Sequence, residues 1–265
     1  MEILQIIVLG VVQGVTEFIP VSSSGHLILL QNVFGFQESA LSLTIFLHFG
    51  TFFSVVAYYW VRIVQMVRRP LDRFNFLVVL TAVPAGIAGI LFSDFFQNLY
   101  TSASLLGYSF LLTAVLLYAS SASFDRVEPN QQKNEKQLRI PDVLWVGLFQ
   151  CLAILPGVSR SGSTISAGLF RKIDKKVAAE LSFLNSIILI LGTNILEMPQ
   201  ILRGTGGAPA LHLAIGFVAS AVSGYLAIAI LLRILRERSL RPFSYYVAVL
   251  GILVLLDQWF FHLVF

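Results

Sequence analysis

The chain has 265 residues, 57% of them hydrophobic and only 12% charged, with a mean hydropathy of +0.82. A soluble domain carries about twice that charged fraction, so the composition excludes one and points to a polytopic membrane protein. The net charge of +4 does not indicate nucleic acid, because the basic residues gather in short loops between apolar runs. The lone cysteine, Cys151, excludes an internal disulfide framework, and no metal-type Cys/His spacing occurs.

The N-terminus opens Met1-Glu2-Ile3-Leu4 without a basic region, and no small-residue cleavage site follows, so no cleavable leader is expected. The first apolar run, 3–19, stops at Pro20. At about 1.5 Å per residue it falls short of a hydrocarbon core about 30 Å thick. Polar Ser22, Ser23, Ser24, Gly25 and His26 follow, and then more apolar residues, which predicts a re-entrant helix–loop–helix hairpin over about 2–35. Three spans are expected next, at about 41–61, 74–93 and 104–120. The stretch 121–141, with Asp125, Glu128, Pro129, Asn130 and Glu135, reads as a hydrophilic linker without chemistry. A second short apolar run, 143–155, stops at Pro156 and predicts a second hairpin over about 142–170. Spans at about 177–197, 211–232 and 243–264 complete the chain.

Basic residues give the orientation. Four Lys or Arg fall in each of the segments 62–73, 121–142, 171–176 and 233–242, while Arg203 alone falls on the opposite side. With six spans and two hairpins, all four basic loops share one side, which places them in the cytoplasm and both termini outside. The two hairpins also resemble each other. Val21-Ser22-Ser23-Ser24-Gly25 recurs in the second half as Val158-Ser159-Arg160-Ser161-Gly162. At the same offset, Gly10-Val11-Val12-Gln13 is echoed by Gly147-Leu148-Phe149-Gln150. The expected fold is therefore an all-α polytopic membrane protein with an inverted-topology repeat, each half one re-entrant hairpin plus three transmembrane helices. It forms one membrane domain, 1–265, with repeat 1 over about 1–120, a cytoplasmic linker over about 121–141 and repeat 2 over about 142–265.

Carboxylates, hydroxyls, a histidine and an arginine are costly at membrane depth and mark a site. Gln13 and Glu17 are four residues apart, hence on one helix face. Ser22, Ser23 or Ser24 can cap the helix that restarts after Pro20, and helix N-termini favour anions. The second hairpin supplies Ser159, Arg160, Ser161, Ser163 and Thr164 around another helix start. Arginine offers a planar fork suited to phosphate. Brought together, the two loops make a phosphate site. His48, His212 and His262 stand singly and read as structural, and Tyr58, Tyr59, Trp60 and Trp259 as interfacial residues.

Gln13-Gly14-Val15-Thr16-Glu17-Phe18-Ile19-Pro20-Val21-Ser22-Ser23-Ser24-Gly25-His26 and Pro156-Gly157-Val158-Ser159-Arg160-Ser161-Gly162-Ser163-Thr164 resemble the two motifs of bacterial undecaprenyl-diphosphate phosphatases of the bacitracin-resistance type, at matching places over essentially the whole chain. The resemblance implies removal of the terminal phosphate from undecaprenyl diphosphate, which regenerates the carrier for peptidoglycan and other envelope polymers. It also implies bacitracin resistance, residence in the bacterial plasma membrane and dependence on a divalent cation, Mg²⁺ or Ca²⁺. Carried over by motif position, Glu17, Ser23, His26, Ser159, Arg160 and Thr164 form the active-site group, with Gln13 at a position that is Glu or Gln in the family. The expected roles are Ser23 as nucleophile with His26 as its base, Glu17 and Gln13 toward the cation, and Ser22, Ser24, Ser159, Arg160, Ser161 and Thr164 toward phosphate. Phospho-His26 and direct attack by water remain open alternatives.

Two rivals differ in class. Ser24-Gly25-His26 mimics part of the type-2 phosphatidic acid phosphatase pattern, but that pattern needs a histidine where Ser166 follows Ser159-Arg160. A transporter for an anionic lipid or solute would also use inverted repeats and broken helices. Small residues Ala219, Ser220, Ser223 and Gly224 suit close helix packing, inside the chain or in a homodimer.

Overall fold

The computed structural model describes residues 2–35, 40–202 and 209–265. Twelve α-helices occur among them: α1 (Ile3–Phe18), α2 (Ser23–Val33), α3 (Ala40–Tyr58), α4 (Trp60–Arg68), α5 (Arg73–Leu91), α6 (Ser93–Ser102), α7 (Leu106–Phe124), α8 (Ile140–Leu152), α9 (Arg160–Phe170), α10 (Lys175–Leu202), α11 (Ala210–Glu237) and α12 (Arg241–Leu256). The described residues hold no strand, only an isolated bridge between Lys133 and Ile173. Arg203 lies outside the described residues.

α5, α7, α10, α11 and α12 with the π-helical turn Asp257–Phe261 are each long and apolar enough to cross a membrane, and α3 with α4 makes a sixth candidate. The surface agrees: Ile90 on α5, Val115 on α7, Val222 on α11 and Val249 on α12 are all more than half exposed. Polar Thr81, Ser109, Thr113, Ser120, Ser182, Asn185 and Ser220 are buried. Apolar outside and polar inside is the pattern of a chain dissolved in lipid, whose polar groups must find partners within the protein. The chain is an all-α, multi-pass membrane protein.

Four elements depart from expectation. The span expected at 41–61 bends by 78° after Tyr58, so α4 leaves the line of α3. No Gly or Pro announces that bend. α6 is a separate short helix. Pro84, by contrast, sits inside α5 without ending it. α7 runs into the expected linker, as far as Phe124. The remaining linker is pinned rather than loose. Buried Asp142, in the first turn of α8, takes Lys133 Nζ at 2.7 Å and Arg171 Nε at 2.8 Å.

α11 packs against both α1 and α3, α12 against α7, and α8 against α5 and α9. Small residues make the first of these contacts close. A Cβ on Gly14 would meet Ser223 Oγ at 2.0 Å, and one on Gly50 would meet Ser220 Oγ at 1.9 Å. Ser220 Oγ donates to the Leu47 carbonyl at 2.9 Å. The small-residue face of α11 is thus taken up within the chain. Helix starts also recur at the offset of the sequence echo: Ile3 and Ile140, Ser23 and Arg160, Arg73 and Ala210.

Candidate active site

Both polar loops lead from a broken helix to a serine-capped helix start. α1 ends at Phe18, and Pro20 lacks the N–H needed to continue it. Ser22 has φ 73°, a left-handed backbone that a non-glycine residue adopts only under constraint. Its Oγ accepts from Gly25 N at 3.3 Å and caps α2. In the second loop Gly157 takes the left-handed conformation, φ 87°, and Ser159 Oγ accepts from Gly162 N at 3.0 Å to cap α9. Ser22 and Ser159, expected toward phosphate, each accept the amide of the glycine three residues on and so cap the new helices.

The loops meet. Gly157 N donates to Ser24 Oγ at 3.3 Å, and Ser161 Oγ donates to the Ile19 carbonyl at 3.4 Å. Ser24 and Ser161 thus hold one loop against the other. Phe18 stacks edge-on against Phe183 of α10, ring centroids 5.4 Å apart, which fixes the end of α1 beside that helix.

Glu17 lies at the centre, 7% exposed. Its Oε1 accepts from Arg160 Nη2 at 2.7 Å across the two loops. Its Oε2 accepts from Ser23 Oγ at 2.6 Å and from Gln13 Nε2 at 3.1 Å. Arg160 is anchored on its other arm, Nη1 donating to the Ser182 carbonyl at 3.1 Å. Thr164 Oγ1 lies 2.7 Å from Ser182 Oγ and donates to the Arg160 carbonyl at 2.8 Å. An ion pair this deep needs such supporting bonds, since desolvation offsets much of its attraction.

His26 is placed differently from expectation. Its Nδ1 lies 2.7 Å from the Ser22 carbonyl and its Nε2 2.8 Å from Tyr246 Oη on α12. A carbonyl only accepts, so Nδ1 carries the proton and Nε2 accepts from the tyrosine. The ring stacks on Tyr246 and meets Phe110 edge-on. The Ser23 hydroxyl is bonded to Glu17 and the lone pair of His26 to Tyr246. In this geometry the Ser23 hydroxyl donates to Glu17 rather than to His26.

Three neighbours carry no signal in the sequence. His48, which reads there as structural, has Nδ1 2.8 Å from the Thr44 carbonyl and presents Nε2 to Glu17 Oε2 at 4.0 Å. It lies on α3, too far along the chain from Glu17 for any local pattern to link them. Ser182 and Tyr246 are equally remote in sequence. Another buried pair joins Gln150 Oε1 to Asn185 Nδ2. At the 137-residue offset of the sequence echo, Gln150 and Asn185 correspond to Gln13 and His48.

A carboxylate, a hydroxyl and a guanidinium converging inside a helical membrane protein make a polar reaction site within a lipid-soluble fold. Comparison with known proteins names the family. The model of the bacitracin resistance protein BacA matches residues 6–253, and the chain belongs to that family. It is 40% identical over 259 residues to an undecaprenyl-diphosphatase of Halothermothrix orenii, covering 97% of this chain and 98% of that protein. It is 38% identical over 261 residues to the enzyme of that name from Carboxydothermus hydrogenoformans, with 97% and 98% coverage. Identity to that of Pelobacter propionicus is 39% over 264 residues, covering 95% of each.

Proposed function

We propose that this chain hydrolyses undecaprenyl diphosphate to undecaprenyl phosphate and inorganic phosphate, recycling the lipid carrier for cell-envelope synthesis and conferring bacitracin resistance. The observation that carries the reading is the Glu17–Ser23–Arg160 cluster. Ser23 Oγ attacks the terminal phosphorus and passes its proton to Glu17 Oε2, to which it is already bonded at 2.6 Å. The Oγ–P bond forms as the anhydride P–O bond breaks, and undecaprenyl phosphate leaves with the electron pair. Water then attacks the phosphoserine, freeing phosphate, and Ser23 regains a proton. Arg160, its guanidinium anchored on the Ser182 carbonyl, supplies a fixed positive fork for the charge that grows on the phosphoryl oxygens. His26, fixed by Ser22 and Tyr246, lines the side of α2 facing α7 and α12.

The residues suit Mg²⁺ or Ca²⁺. Gln13 Oε1 is buried without a hydrogen-bond partner beside the Glu17 carboxylate. Hard cations take such oxygens. Among the described residues no group of three or more His, Cys, Asp or Glu could hold a metal. Gln13 and Glu17 would therefore share the ion with substrate oxygens and water. When bound, the cation supplies charge neutralisation of the diphosphate.

The recurrence of helix starts and the paired caps support an inverted repeat, with α1–α2 and α8–α9 as re-entrant hairpins. α1 has 16 residues and α8 has 13. At 1.5 Å per residue these are about 24 Å and about 20 Å long, short of the bilayer core. The basic loops then face the cytoplasm of a bacterial plasma membrane, both termini lie outside, and the apolar carrier tail lies between helices.

The test is phosphate release from a long-chain polyprenyl diphosphate by detergent-purified protein, with Mg²⁺ or Ca²⁺ and with chelator. Release that needs the cation and disappears in Arg160→Ala supports the reading. No release from folded protein shifts the weight to transport, which a detergent solution cannot report.

A further inference from the structure

α4 has two faces with opposite chemistry. Trp60, Val64 and Val67 share one side, and Arg62, Gln65, Met66 and Arg69 the other. No residue of α4 is buried. Trp60 is 59% exposed, Val67 73% and Leu71, just past the helix, 95%. With α3 crossing the bilayer, the 78° bend lays α4 along the membrane surface, where such an apolar face enters the acyl boundary. On its polar side α4 borders a cavity of about 730 Å³. Arg62, Arg68, Arg69, Arg73 and Lys136 line it, against Asp72 and Glu135 alone.

Some of this charge is committed. Arg62 pairs with Glu135 at 2.7 Å and with Glu180 at 3.2 Å. Arg73 donates to the carbonyls of Lys136 and Leu138. Arg68 and Arg69 are exposed and carry no ion pair among the described residues.

We propose that this cavity binds the phosphate headgroup of an anionic phospholipid in the leaflet that α4 lies on. The excess positive charge selects an anion, and the spare guanidinium groups of Arg68 and Arg69 provide its donors. The apolar face of α4 selects a lipid over a soluble anion, because it holds the cavity mouth at headgroup depth. The cavity shares no lining residue with the diphosphate site, and α10 bears both Glu180, which pairs with Arg62, and the Ser182 that anchors Arg160.

The experiment is native mass spectrometry of the full chain released from micelles containing phosphatidylglycerol or phosphatidylcholine with the same acyl chains. Phosphatidylglycerol should be retained at about tenfold lower concentration than phosphatidylcholine. That preference should vanish in Arg68→Gln/Arg69→Gln and shrink in Lys136→Gln, while both variants keep wild-type phosphate release as proof of folding. Millimolar inorganic phosphate should not displace the lipid. Equal retention of the two lipids, or an undiminished preference in the folded double variant, overturns the proposal. Displacement by inorganic phosphate overturns it in favour of a soluble anion.

Discussion

The two helix breaks share a serine cap and differ in backbone and in chemistry. Each runs from an apolar helix through a proline to a serine whose hydroxyl caps the next helix on a glycine amide three residues on. On that common frame the first loop carries Glu17 and Ser23, and the equivalent positions of the second carry Ile154 and Arg160. His26 answers to Ser163, and His48 to Asn185. Of the two breaks, the first carries an acid and the hydroxyl bonded to it, and the second a guanidinium. Phosphoryl transfer needs a proton acceptor beside the nucleophile and a positive group beside the phosphate. Here the acid and the guanidinium come from different loops and meet at 2.7 Å.

The comparison can be broken most severely at the cross-loop pair. Arg160→Ala should lower turnover by about 10³-fold or more, as removal of a phosphoryl-stabilising arginine does, and phosphate release measures it. Arg160→Lys should recover little, since an ammonium cannot span Glu17 and Ser182 together. Near-normal release from either variant would remove the second loop from the chemistry.

Next in size, Ser23→Ala and Glu17→Gln should each cost about 10²- to 10⁴-fold. The double variant should be little worse than either alone, because the two act as a unit. An additive loss would mean that the serine and the acid work in separate steps, and a fully active Ser23→Ala would eliminate the serine as nucleophile.

A smaller contrast lies at the matched pair outside the loops. His48→Ala should slow turnover by about tenfold, because the imidazole faces Glu17 at 4.0 Å. Asn185→Ala should leave kcat unchanged and lower thermal stability instead, since it strands Gln150 Oε1 in a buried position. Equal kinetic losses at both would make the halves chemically alike. The smallest expected effects are at the caps. Ser22→Ala and Ser159→Ala should each cost about 1 kcal/mol of stability, read as a shift in thermal unfolding.

Much of the fold is legible in the residues. Apolar runs give the helices at nearly their observed places, because a chain in lipid must satisfy its backbone within each helix. Pro20 and Pro156-Gly157 mark both breaks, since a missing N–H and a left-handed φ act locally. The helix after the bend at Tyr58 is not legible, because the apolar run stops at Val61 and the basic residues of 62–73 read as a loop. Nor is the division of labour among the serines. By residue type Ser22, Ser24, Ser159 and Ser161 all suit phosphate, yet in the structure they cap helices or bind the opposite loop, while Ser23 alone reaches Glu17.

Hydropathy, proline and hydroxyl caps act over a few residues and can be read in order along the chain. They specify the class of fold, the two breaks and the set of groups that meet at them. Which atoms face one another is a matter of packing alone: Arg160 on Glu17, His48 beside the same carboxylate, and His26 turned to Tyr246. Those pairings depend on how α3, α10 and α12 pack around the hairpins, and helix packing leaves no local trace in the chain.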